Sequence, residues 1–135
     1  ALCEAADRGV DTRILVPGPH IDKEIVRVAG RAVYEELLDC GVRIFEYQPT
    51  MLHAKSLTID GAWAAIGSVN FDNRSFALND EATLCVHDAR FAARLDEQFA
   101  RDLEAAEEIE PGRYAGRSNG HRTREAAAKL LRREL

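Results

Sequence analysis

The residues best suited to chemistry in this chain are a histidine and a lysine two positions apart. His53 and Lys55 are followed by Asp60, which gives the spacing His-x-Lys-x4-Asp. Imidazole donates and accepts protons near neutral pH, because its ordinary pKa is about 6.5, and an ammonium group supplies a fixed positive charge. The pair is suited to proton transfer beside an anion such as a phosphate. Taken singly, each residue is more simply explained as part of a strand end that reaches solvent.

A β-hairpin is predicted to hold this pair. Residues 52–59 and 62–68 have the composition of strands, and Asp60-Gly61 between them is a strong signal for a two-residue hairpin loop. In such a loop Ile59 faces Ala62, which fixes the pairing of every residue further along both strands.

That pairing gathers four polar side chains on one face of the hairpin. His53 lies opposite Ser68, and Lys55 lies opposite Ile66. Side chains two positions apart share a face, so Asn70 joins Ser68 there. Directly opposed residues have Cβ atoms about 5 Å apart, so the four groups enclose a space of the size of one phosphate. We therefore predict that Lys55, Ser68 and Asn70 bind a phosphate.

Two residues near this face have alternative roles. Asp60 is out of phase with the face, and its position in the turn is consistent either with catalysis or with local capping of backbone N–H groups. Gly67 ends a strand before a predicted helix, whose N-terminal N–H groups favour an anion, but close packing alone would also explain a glycine there.

The rest of the chain alternates strands and helices. Further strands are predicted at 12–16, 42–47 and 81–87. Helices are predicted at 2–8, from Asp22 to a stop at Gly41, and from a cap at Asp88 to Ala106. The fold class is therefore α/β, with a mixed β-sheet flanked by helices.

Composition excludes several classes of protein. The chain has 135 residues, 46% of them hydrophobic, with a net charge of −5, so one core is expected and a nucleic-acid-binding surface, which needs clustered Lys and Arg, is disfavoured. Cys3, Cys40 and Cys85 form no C-x-x-C pair and predict reduced thiols, without a disulfide or a zinc site. No apolar run reaches the roughly 18 residues that span a bilayer.

The character of the chain changes at residue 111. Residues 1–110 are predicted to be the catalytic domain, and residues 111–135 a tail rich in Lys and Arg. The tail is consistent with an amphipathic helix that touches an anionic membrane surface, or with a solvated, frayed end. Ala1 lies inside a predicted helix. We therefore expect that an upstream part of a longer protein is missing.

The motifs together resemble a known family. The His53–Lys55–Asp60 motif is joined by Gly-Ser-x-Asn at 67–70 and Asn-Arg-Ser-Phe at 73–76. With 34–38, 44–49 and 79–81, these segments closely resemble the C-terminal catalytic half of bacterial cardiolipin synthases, members of the phospholipase D superfamily. The resemblance covers roughly residues 8–110 and predicts one half of a phospholipase D-like fold.

The resemblance implies phosphatidyl transfer through a phosphohistidine, without a metal or other cofactor. One His attacks the phosphodiester, and a second His protonates the departing alcohol and then activates the acceptor. By this resemblance Lys55, Ser68 and Asn70 hold the phosphate, and Glu81 is the carboxylate that orients the imidazole. Without the resemblance, Glu81 is only a carboxylate at a strand end.

Only one such motif is present in this sequence. His20, His87 and His121 lack a lysine two residues on, so the resemblance implies that a missing N-terminal half or a second copy of the chain completes the site. His53 is then assigned as the general acid/base.

The resemblance also implies a phosphatidylglycerol-like phospholipid substrate and a peripheral position at the cell inner membrane. Two alternatives are a homodimeric phosphodiesterase or endonuclease of the same superfamily and an isolated half-domain without activity. The net negative charge disfavours the endonuclease.

Overall fold

The computed structural model describes residues 1–21, 30–31, 33–69 and 80–115. The chain divides into two compact units. The terminal unit is formed by Ala1–Leu52 and Ala105–Leu135, and the central unit by His53–Glu104. Three predicted features lie outside the described residues: most of the helix after Asp22, Asn70, which was predicted to bind phosphate, and most of the basic tail.

The terminal unit combines helices and strands from both ends of the chain. They are helix α1 (Leu2–Asp7), strand β1 (Arg13–Pro17), helix α2 (Tyr34–Asp39), strand β2 (Arg43–Tyr47), strand β6 (Ala106–Glu108) and helix α4 (Pro111–Ala115). The sheet has the order β1-β2-β6, in which β2 runs parallel to β1 and antiparallel to β6.

The core of the terminal unit lies between α2 and β2. Its buried members are Tyr34, Leu38, Val42 and Ile44, against which residues of α1, β1 and α4 pack. Tyr34 and Leu38 lie four positions apart and so share a face of the helix. Burial of this apolar area is what fixes α2 on the sheet.

Gly41 ends α2 as the sequence predicts. Its φ is +86°, and two backbone bonds close the helix, from Gly41 N to Leu38 O at 3.0 Å and from Val42 N to Leu37 O at 3.0 Å. These are the two bonds of a Schellman motif, in which a glycine takes the left-handed position at the least steric cost. The motif turns the chain directly into β2.

A buried ion pair connects β2 to the chain before α2. Glu46 is 5% exposed and accepts hydrogen bonds from Arg31 Nε at 2.8 Å and Nη2 at 2.5 Å. The hydrogen bond to Glu46 raises the pKa of Arg31, against the opposing effect of burial. The Tyr114 hydroxyl donates to the Arg31 carbonyl at 2.6 Å, so α4 is bound to the same point.

The prediction that all three cysteines are reduced is wrong in the structure. Cys3 of α1 and Cys40 after α2 form a disulfide, with Cα atoms 5.3 Å apart, and Cys85 is a free, exposed thiol. No spacing signal predicts this pair, because the two residues are 37 positions apart and only the packing of α1 beside α2 brings them together.

The central unit is a three-stranded antiparallel sheet with one helix. Strands β3 (Ser56–Ile59), β4 (Trp63–Gly67) and β5 (Thr83–His87) pair in the order β3-β4-β5, and helix α3 (Ala89–Glu104) packs against all three. Asp88 caps α3 as predicted, since its Oδ1 accepts a hydrogen bond from Phe91 N at 2.9 Å.

The central sheet is buried mainly around Ala64. Thr58, Ala64 and Val86 are cross-strand neighbours on one face, and Ala64 is fully buried, as is Ala92 of α3. Exposed apolar residues lie on both faces, with Ile66 and Leu84 on the face of Ala64 and Leu57 and Ile59 on the other.

The α/β prediction is confirmed, with the strands divided between two sheets. Strand β6 was not predicted, because Ala106-Glu107-Glu108 has a low intrinsic preference for strands and pairs only through its contact with β2. In the part of the chain that the structure describes, no helix has the length and apolar character to cross a membrane.

The Arg31–Glu46 pair predicts a large effect of a small substitution. Glu46→Gln leaves the Arg31 guanidinium partly buried without its counter-charge, so the free energy of unfolding should fall by about 2–3 kcal/mol. Urea denaturation measures it. The control is Glu97→Gln on the exposed side of α3, which should change stability by less than about 0.5 kcal/mol; equal effects would contradict a special role for the pair.

The disulfide predicts the pattern of thiol labelling. An alkylating reagent should modify Cys85 alone in the oxidised, native chain, and all three cysteines after reduction and unfolding. Reduction should also lower the free energy of unfolding by about 3–4 kcal/mol, because the cross-link restricts the unfolded chain. Labelling of Cys3 or Cys40 in the non-reduced protein would contradict the pairing.

Candidate active site

The turn between β3 and β4 sets the geometry of the site. Asp60 and Gly61 both have positive φ, +51° and +59°, and Ala62 N donates to Ile59 O at 3.1 Å. Positive φ at both central residues is the signature of a type I′ turn, which the Asp-Gly sequence favours. The predicted turn is therefore present.

The pairing beyond the turn differs from the prediction by one residue. Ile59 pairs with Trp63, so Ala62 is an extra residue in the loop, as in a β-bulge. Ser56 consequently pairs with Ile66, whereas Lys55 was predicted there. A slip of one residue turns every following side chain to the opposite face.

The predicted shared face is therefore corrected. Extended by two residues beyond Ser56–Ile66, the observed register would set Ala54 rather than His53 opposite Ser68. Lys55 is bound to Gly67 instead, through a hydrogen bond from Gly67 N to Lys55 O at 3.1 Å. The strand itself also begins later than predicted, at Ser56.

His53 and Lys55 lie just before β3. The His53 side chain is exposed and that of Lys55 is half-buried. Lys55 Nζ donates a hydrogen bond to the His53 carbonyl at 3.0 Å, so the ammonium group lies beside the backbone of the histidine. A positive charge is thereby held next to the imidazole-bearing residue, where an anionic ligand would be attracted.

Gly67 and Ser68 contact the segment that leads into β5. A Cβ on Gly67 would lie 2.3 Å from Ala82 O and 2.7 Å from Thr83 Cα, so close packing accounts for the glycine. Ser68 N donates to Ala82 O at 2.9 Å, and Ala82 N donates to Ser68 Oγ at 3.1 Å. The two segments are joined by both backbone and side chain.

Most of the predicted site residues lie at the same end of the central sheet. β3 begins, β4 ends and β5 begins at this end, which brings Lys55 and Ser68 beside each other through Gly67 and sets Glu81, half-buried, one residue from the Ser68 contact. Asn70 lies outside the described residues.

Asp60 is at the opposite end of the same sheet. The four residues of β3 separate it from Lys55, a distance of about 16 Å along the chain. Asp60 is a turn residue, as predicted, and whether its carboxylate caps backbone N–H groups or takes part in catalysis stays a prediction. Asp and Asn are among the residues that tolerate positive φ best.

Comparison with known proteins supplies the family. The family model described as the PLD-like domain of cardiolipin synthase matches residues 1–103. The chain belongs to the cardiolipin synthase PLD-like domain family. The resemblance predicted from the sequence is thus confirmed over most of the chain.

Several curated proteins are similar to this PLD-like domain over most of its length. Cardiolipin synthase 2 of Bacillus anthracis is 40% identical over 97% of the chain, and cardiolipin synthase A of Pseudomonas putida is 42% identical over 98%. The chain spans 25% and 27% of those two proteins. It therefore corresponds to about a quarter of such a polypeptide.

A solved structure supports the fold. The crystal structure of Nuc from Salmonella typhimurium, a phospholipase D family member, superposes with a TM-score of 0.64 at 18% identity, covering 79% of this chain and 69% of Nuc. The arrangement of strands and helices in the PLD-like domain is therefore shared with that family.

Sequence reasoning missed one part of the site, the Ala82-Thr83 segment. Ala82 makes its hydrogen bonds to Ser68 through its own backbone N and O atoms, which carry no residue-type signal. The glycine itself was the available clue, because glycine within a strand often marks the close approach of another backbone.

The packing at Gly67 predicts a strong effect of a single methyl group. Gly67→Ala forces the Ala82-Thr83 backbone away from β4, so the free energy of unfolding should fall by about 2–3 kcal/mol. The matched control is Gly112→Ala, where a Cβ meets nothing within 4 Å, and stability should change by less than about 0.5 kcal/mol. Thermal denaturation measures both, and similar values for the two variants would contradict the close approach.

Proposed function

We propose that this chain supplies one half of the active site of a phosphatidyltransferase, in which His53 is the general acid/base. The proposal is supported by membership of the cardiolipin synthase PLD-like domain family and by the position of His53 and Lys55 at the end of the sheet where Glu81 also lies. The substrate class is a phospholipid with a phosphatidylglycerol-like diester.

The reaction has two displacements at phosphorus. In the first, an imidazole of a second motif forms a P–N bond while the bond from phosphorus to the departing alcohol oxygen breaks, and His53 gives its proton to that oxygen. In the second, the acceptor alcohol attacks phosphorus, the P–N bond breaks, and His53 takes the proton of the alcohol. Imidazole serves both steps because its ordinary pKa is near neutrality.

The charge that develops on the non-bridging oxygens needs fixed donors. Lys55 and Asn70 are the proposed donors, since an ammonium group and an amide placed before the reaction stabilise the transition state without reorganisation. Glu81 is the proposed carboxylate that orients the imidazole of His53. The sequence also predicts the Ser68 hydroxyl at this phosphate, but that hydroxyl is hydrogen-bonded to the backbone of Ala82.

The second motif comes from outside these 135 residues. The chain spans about a quarter of its curated relatives, so we propose that the rest of such a polypeptide, or a second copy of this chain, completes the site. The proposed location is the periphery of the cell inner membrane, where the diester of the substrate is exposed at the lipid surface.

A reconstituted enzyme tests the role of His53. The chain is assayed alone, and in place of the matched segment of the Bacillus anthracis protein, with vesicles containing phosphatidylglycerol. Conversion to cardiolipin and glycerol is followed by mass spectrometry. His53→Ala should reduce turnover by about 10²–10⁴-fold, the usual contribution of a general acid/base, and leave the fold intact.

The matched control is His87→Ala, because His87 is also exposed and lies in the central unit; its turnover should stay within about twofold of the unchanged protein. Near-normal turnover of His53→Ala would remove His53 from the mechanism. Hydrolysis of DNA without lipid turnover would favour the endonuclease, and no turnover by the reconstituted protein would favour an inactive half-domain.

A further inference from the structure

The Ser68 hydroxyl makes backbone contacts that phosphate binding alone would not require. It accepts a hydrogen bond from Ala82 N at 3.1 Å, and its oxygen lies 3.5 Å from Ala82 O, to which it can donate. Ser68 N donates to Ala82 O at 2.9 Å. One residue thus engages both backbone groups of Ala82.

These contacts continue the β4–β5 pairing past its last residues. The ladder ends with Gly67 opposite Thr83, and the next residues, Ser68 and Ala82, are joined partly through the serine side chain, which takes the place of a backbone group. Gly67 allows the approach, because a Cβ there would lie 2.3 Å from Ala82 O.

The segment held in this way carries the proposed orienting carboxylate. Glu81 is the neighbour of Ala82 in the chain, and Gly67, one residue before Ser68, is bound to Lys55 through its N–H group at 3.1 Å. The Gly67-Ser68 pair therefore fixes the start of β5 relative to the Lys55 end of β3. A carboxylate that orients an imidazole must be held to a fraction of an ångström to be effective.

We propose that Ser68 is a positioning residue, whose hydroxyl holds the Ala82 backbone so that Glu81 is placed for catalysis. This inference rests on the proposed function, and it differs from the sequence-based assignment of Ser68 to the substrate phosphate. If Ser68 acts through Glu81, removing both should cost no more than removing Glu81 alone. If it binds the phosphate itself, the two losses should add.

A double-mutant cycle in the reconstituted enzyme tests this. Ser68→Ala should lower kcat about tenfold with KM within about twofold, and Ser68→Ala combined with Glu81→Gln should turn over within about twofold of Glu81→Gln alone. Ser68→Thr keeps a hydroxyl and should restore most of the turnover. Ser56→Ala, a serine-to-alanine change at an exposed position of β3, is the matched control and should have turnover close to that of the unchanged protein.

Amide hydrogen exchange on the 135-residue chain measures the positioning directly. The Ala82 amide should exchange faster in Ser68→Ala, should be protected again in Ser68→Thr, and should be unchanged in Ser56→Ala, because exchange follows local opening of the bonded segment.

Additive losses in the cycle, or an Ala82 amide that keeps its protection in Ser68→Ala, would overturn the inference. These outcomes are separable from failure of the proposed function. If His53→Ala retains turnover, the function itself is wrong, whereas an inactive His53→Ala with additive Ser68 and Glu81 losses rejects only the positioning role.

Discussion

The pairing of β3 with β4 is the constraint on which the central unit depends. It is set by a type I′ turn at Asp60-Gly61 followed by the additional residue Ala62. A change of one residue in the length of this loop would exchange the two faces of β3. Thr58 would then no longer lie beside Ala64, which is fully buried. At the other end of β3, the same pairing sets the hydrogen bond from Gly67 N to Lys55 O.

Local signals predicted much of the fold because their causes lie within a few residues. The glycine stop at Gly41, the Asp88 cap and the Asp60-Gly61 turn each depend on neighbouring backbone groups. The Cys3–Cys40 disulfide and the short strand β6 depend on packing between distant segments. The sequence of one segment carries no pattern that indicates its distant packing partner, so neither the disulfide nor β6 was predicted.

The same division applies to the site. The motif is recognisable by residue type and spacing, and the sheet places His53 and Lys55 at one end and Asp60 at the other. The face they were expected to share depended on the loop having two residues, whereas the structure has three between the paired positions Ile59 and Trp63. A turn can therefore be identified correctly while the register that follows it is missed, because bulges leave little trace in sequence.

The terminal unit is assembled from both ends of the chain, with the central unit as a continuous insertion. Strand β2 pairs with β6, about sixty residues further along the chain, a delay of several seconds at ribosomal speed. During synthesis, the second edge of β2 therefore waits unpaired until the ribosome has released β6. The central unit can fold first, since all its strands and its helix emerge as one uninterrupted stretch.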